Sequence, residues 1–118
     1  MGRVILAPLR DLKCVPCRGD APPLTALEIS TFNLQTPDWK VIEVENVPRL
    51  ERTFKFGNFA QALAFTNNVG ELAEAEDHHP AIQTEWGRVT VTWWTHKIRG
   101  LHQNDFIMAT KTDEIYNK

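Results

Sequence analysis

Arg88-Val89-Thr90-Val91-Thr92-Trp93-Trp94-Thr95-His96 carries the fold assignment of this chain. Val89, Val91 and Trp93 fall on one side of the run, and Arg88, Thr90, Thr92, Trp94 and His96 on the other. Period-two alternation of this kind marks a strand with one buried face. On that reading the aliphatic side meets the core and His96 projects from the polar side. Ala81–Glu85 lies just upstream, across Trp86-Gly87, so two strands joined by a tight turn are expected.

A second hairpin is legible earlier in the chain. Trp39–Val44 and Arg49–Phe56 read as strands around a turn at Glu45-Asn46-Val47-Pro48, with Leu50, Phe54 and Phe56 on one face. Three helices surround the hairpins. Thr25 and Glu28 form a capping box with Leu24 and Ile29 as a hydrophobic staple, which predicts a helix from about Ala26 to Asn33, stopped before Pro37. Asn58 with Gln61 opens a long helix from Phe59 to about Asp77, striped by Ala62, Phe65, Val69, Leu72 and Ala73. Gly70 within it suggests close packing at that point. The last helix runs from about Gln103 to Tyr116. His102 stands at its N-cap, a poor residue for that task, and Asp105 in its first turn, where the macrodipole favours a carboxylate. The order α-β-β-α-β-β-α predicts an α+β two-layer sandwich, a four-stranded antiparallel sheet with three helices on one face.

The 118 residues suit one domain, assigned to 24–118, after an irregular segment over 1–23. Apolar residues make up 42% and charged residues 24%, with a net charge of −2, so nothing in the charge favours direct nucleic-acid contact or an anionic membrane. No apolar run approaches the roughly 20 residues of a membrane span, and the apolar stretch in the first ten residues is too short for a signal-peptide core. A cytoplasmic protein is expected. Cys14-Val15-Pro16-Cys17 has three readings: half of a zinc site, a redox dithiol, or two thiols in a loop. There is no second CxxC to complete a zinc ribbon, and no βαβ context for a thioredoxin-like motif.

The chemistry concentrates in Glu74-Ala75-Glu76-Asp77-His78-His79-Pro80 and in Thr95-His96. Imidazole titrates nearest neutral pH, so clustered histidines with carboxylates close by suit proton transfer. Pro80 pushes His79 into an extended conformation, which sends the two neighbouring rings in different directions. If the last helical turn persists, Glu74 and His78 share one face. Trp39, Trp86 and Trp94 are candidates to stack on a flat ligand, although tryptophans more often fill cores. The same histidines could hold zinc, or serve only structure; the helical i, i+4 His pair of many zinc sites is missing.

Taken together, these elements resemble the pterin-4a-carbinolamine dehydratases over about residues 24 to 112. The resemblance rests on Asp38-Trp39, Arg52-Thr53-Phe54-Lys55-Phe56, Asp77-His78-His79-Pro80, Thr95-His96, Gly100-Leu101 and Asp105-Phe106, in that order. It implies dehydration of 4a-hydroxytetrahydropterin to quinonoid dihydropterin, with no redox cofactor and no metal. His78, His79 and His96 take the catalytic positions, Glu74 and Asp105 those of supporting carboxylates, and Trp39, Asp77 and Trp86 those of substrate-binding residues. Of the histidines, His78 and His96 are the expected proton carriers and His79 the one that holds the ring. A homodimer or homotetramer is also implied. A non-catalytic assembly module and a role in molybdopterin metabolism are the competing functions. His102 departs from the Ser or Thr usual at that cap, and the Cys14–Cys17 segment lies outside the resemblance.

Overall fold

A computed structural model describes residues 8–15 and 22–118. Strands β1 (Lys40–Val44) and β2 (Val47–Lys55) form one hairpin, and β3 (Ala81–Glu85) and β4 (Arg88–Trp93) the other. Each is closed by two residues. Glu45 and Asn46 both take positive φ, 52° and 65°, the combination whose twist matches that of the flanking strands. In the other turn Gly87 supplies φ 77°. β2 starts at Val47 rather than Arg49 because Val47 and Pro48 continue the ladder opposite Val44 and Glu43 right up to the turn. β2 and β4 then pair antiparallel, which gives the order β1-β2-β4-β3.

The alternation of β4 buries Val89, Val91 and Trp93 against Leu50 and Phe54 of β2. It ends sooner than the sequence pattern suggested. The ladder stops at Leu50 opposite Trp93, and Thr95 turns its backbone bonds to Gly100 instead. His96 therefore opens a 3-10 turn, His96–Ile98, rather than projecting from a strand.

Helices α1 (Ala26–Asn33), α2 (Phe59–Glu76) and α3 (Gln103–Tyr116) complete the two layers. The Thr25–Glu28 capping box is closed in both directions, at 3.2 and 2.9 Å. Asn58 caps α2 by accepting from the Gln61 amide at 2.8 Å. Ala62, Phe65, Val69 and Ala73 bury the α2 stripe against the sheet. Gly70 is not a packing contact, since a Cβ there would meet nothing within 4 Å. α3 packs on the same sheet face, and α1 rides on α3, where Phe32 stacks on Phe106 at 5.5 Å between ring centroids. Gly100 has a real steric role: a Cβ would come within 2.8 Å of Pro23, beside the bond from the Leu24 amide to the Leu101 carbonyl. No helix among the described residues is long and apolar enough to cross a membrane.

The upstream segment is not wholly irregular. Leu9–Asp11 forms a 3-10 turn, and Leu9, 1% exposed, belongs to the core. Its amide donates to Gln35 Oε1 at 3.0 Å. A single leucine between Pro8 and Arg10 has no periodicity to announce its burial. Replacing it with alanine should cost about 2–4 kcal/mol. Urea denaturation of Leu9→Ala against wild type measures this; a loss below about 0.5 kcal/mol, the range of ordinary surface substitutions, would mean the segment does not dock.

Candidate active site

α2 ends because Asp77 adopts the left-handed conformation (φ 52°, ψ 43°). The Asp77 amide reaches the Ala73 and Glu74 carbonyls, and the His78 amide returns to Ala73 O at 3.1 Å. These bonds satisfy carbonyls that a helix end leaves open. The reversal sends His78 inward, its side chain 10% exposed, and leaves His79 at the surface.

His78 Nε2 lies 2.6 Å from Oδ1 of Asp105, which is fully buried in the first turn of α3. The other oxygen, Oδ2, accepts from Thr95 Oγ1 at 2.8 Å and from the His102 amide at 2.9 Å. One carboxylate thus gathers donors from the end of α2, the segment after β4 and the start of α3. With its Nε2–H held by Asp105, His78 has Nδ1 left for a ligand. The ring lies nearly parallel to Trp93, 5.7 Å away and 10° off plane.

The expected Glu74–His78 pairing does not form. Glu74 pairs with His79 Nε2 instead, because the left-handed Asp77 breaks the helical spacing before His78. His96 is exposed on its 3-10 turn and rests against Trp94 at 4.3 Å between centroids, and the Arg49 guanidinium sits 4.0 Å over that same indole.

His78, His79 and His96 meet at one cavity of about 400 Å³, with Asp77, Thr95 and Lys97 also at its wall. That volume lies in the range of small-molecule sites. Trp39 and Trp86 are not in the lining. Trp39 is 2% exposed in the core, where its indole N–H donates to Asp113 at 2.9 Å and Arg52 reaches the same oxygen at 2.6 Å. Burial raises the Asp113 pKa, and these two partners oppose the rise. Trp86 is 73% exposed at the β3–β4 turn. The lining also includes Glu76, Thr95, Lys97, Asn104, Cys14 and Val15, none of them among the predicted site residues. Thr95 and Asn104 adjoin His96 and Asp105, so proximity to predicted residues was the available signal. Cys14 and Val15 had no such signal, and Cys17 lies outside the described residues. Among the described residues no group of three or more His, Cys, Asp or Glu side chains is arranged to hold a metal ion.

Residues 22–115 match the family model described as pterin 4 alpha carbinolamine dehydratase. Two bacterial relatives carry the name "Putative pterin-4-alpha-carbinolamine dehydratase". That of Nitrosococcus oceani is 59% identical over 107 residues, covering 91% of this chain and 95% of the relative. That of Microcystis aeruginosa is 56% identical over 110 residues, covering 93% and 95%. The crystal structure of a transcriptional coactivator/pterin dehydratase from Brucella melitensis superposes with a TM-score of 0.72 at 32% identity, covering 80% of this chain and 98% of that one. A pterin dehydratase-like protein identified as a RuBisCO assembly factor in the alpha-carboxysome shares the fold, with a TM-score of 0.58 at 23% identity, covering 69% of this chain and 92% of that one.

One further group near the site titrates in a telling way. His102 caps α3 through Nδ1, which accepts from the Asn104 amide at 3.0 Å, so the cap requires an unprotonated Nδ1. Burial lowers the His102 pKa; Asp105 pulls it back up and His78 pushes it further down. With the folded pKa below the unfolded value of about 6.5, the unfolded chain binds more protons as pH falls. This contribution to stability is full above that value and is lost as pH falls through the folded pKa. His102→Asn keeps a good cap without the titration. Its stability should decline less than that of wild type between pH 7.5 and 5.5, read from urea melts at each pH. Parallel curves would remove His102 from the account.

Proposed function

The chain belongs to the pterin 4 alpha carbinolamine dehydratase family, and from that membership we propose that it converts 4a-hydroxytetrahydropterin to quinonoid dihydropterin and water by histidine acid–base catalysis. The observation that carries the mechanism is the convergence of three histidines on one cavity, with His78 oriented by a buried carboxylate.

The elimination breaks the C4a–O bond and forms a C4a=N5 double bond, while the N5 proton is lost and the departing hydroxyl gains one. Each proton needs a carrier near neutral pH, and imidazole suits both directions. His78 has the posture of a positioned base or acid: Asp105 holds Nε2, stabilises the imidazolium when it forms, and leaves Nδ1 as the atom for proton exchange. His96, on an exposed turn against Trp94, is the second carrier. His79, tethered by Glu74 at the rim, holds the ring. Trp93 limits rotation of His78 by lying along its face.

A purely non-catalytic assembly role would use the buried Asp105–His78 pair only as a structural tie and gives no reason for three histidines to meet at one cavity, so catalysis is the preferred reading. Recycling of a pterin cofactor in the cytoplasm is the setting we assign to it. A homodimer or homotetramer also belongs to this proposal. β1 and β3 are the two sheet edges, and Val41 and Val44 on β1 are exposed.

The test is the dehydration rate of 4a-hydroxytetrahydropterin generated in situ, after chelator treatment. Wild type should accelerate the reaction strongly, and His79→Ala and His96→Ala should each lower the rate by about 10²-fold or more. A folded wild type no faster than buffer would sink the dehydratase reading. Activity lost on chelation and restored by metal would sink the metal-free mechanism.

A further inference from the structure

The segment that the family resemblance left unexplained reaches the cavity. Cys14 and Val15 are part of its wall, together with the three histidines. They are held there by several independent ties. The Cys14 amide donates to Glu76 Oε1 at 3.1 Å, on the last residue of α2. The Val15 amide donates to Asn104 Oδ1 at 3.0 Å, and Asn104 Nδ2 donates back to the Val15 carbonyl at 2.7 Å. One side chain thus satisfies both backbone polar groups of Val15, as a neighbouring strand would. Upstream, Leu9 is seated in the core.

The clamp is built for its task. Asn104 is 2% exposed, and a buried primary amide needs partners for both its oxygen and its nitrogen; Val15 supplies them. Pro16 follows in the sequence, which biases Val15 to the extended backbone that presents both groups. The His102 cap positions the Asn104 amide, and Asp105 is the next residue, so the clamp shares its turn of helix with the carboxylate that orients His78.

We propose that residues 8–15 act as a fixed strap whose Cys14 and Val15 form part of the pterin-binding wall. Asn104 is then a positioning residue that acts through the strap. The inference rests on the dehydratase reading for the identity of the ligand. The wall it contributes is uncharged: burial first, then the negative charges of Glu76 and Asp105, push the Cys14 thiol up to about 12, so it stays protonated. A neutral thiol and an aliphatic side chain suit contact with a flat, uncharged heterocycle. The strap adds binding that is similar in the ground and transition states, so its loss should raise KM and spare kcat.

Two variants test this on the full chain. Asn104→Leu removes both clamp bonds with the same number and branching of side-chain heavy atoms, and Cys14→Leu enlarges the wall and keeps both bonds between Asn104 and Val15, losing only the contact of the Cys14 thiol with the Asn104 carbonyl. Each is measured for KM and kcat in dehydration, for the Kd of 7,8-dihydropterin as a non-reacting probe, and for its melting temperature. Both should raise KM and Kd by about tenfold while kcat stays within about threefold. Wild-type KM and Kd in both folded variants would overturn the strap and leave the dehydratase reading standing. If Asn104→Leu fails to fold, Cys14→Leu decides alone. If wild type binds the probe without catalysing dehydration, the dehydratase reading fails and the Kd ratios still decide the strap. If wild type does neither, both fall together.

Discussion

The site depends on one buried carboxylate. Asp105 receives the His78 imidazole, the Thr95 hydroxyl and the His102 amide, which come from three parts of the chain. A carboxylate in the interior is tolerable only when its lone pairs are occupied by donors. The requirement therefore works in both directions. Asp105 holds the end of α2, the turn after β4 and the start of α3 in register, and those three elements together make its burial affordable. Capping and orientation of the histidine are two uses of the same group.

Local rules carried most of the fold. The Thr25 capping box and the Asn58 cap mark helix starts through side-chain bonds that depend only on residues three apart, so α1 and α2 begin where the sequence says. The alternation in β4 and the α2 stripe likewise translate directly into burial. The readings that failed depended on partners distant in sequence or on a single backbone reversal. β4 ends where β2 stops offering a partner, which no alternation can reveal. Glu74 lies four residues before His78, yet one residue in the left-handed conformation redirects it to His79. Leu9 and Asn104 are buried by segments 26 or more residues away, through Gln35 and Val15 respectively.

Tryptophan shows the same division. All four were visible as large aromatic residues, but their roles differ by the partner each finds. Trp39 spends its N–H on Asp113 and becomes core; Trp93 spends its own on Thr112 and becomes the platform under His78. Trp94 carries Arg49 and His96, while Trp86 is left in solvent at a hairpin turn. A flat ring suggests a ligand platform in sequence, and only the polar atom's partner says whether it is free to be one.

The three histidines differ in how deeply they are rooted. His78 is tied to a fully buried carboxylate, whereas His96 rides on a short turn closed by the single bridge between Thr95 and Gly100. The cavity is thus walled on one side by an imidazole anchored in the interior and on another by one carried at the surface, so the two sides differ in how freely they can adjust to a bound molecule.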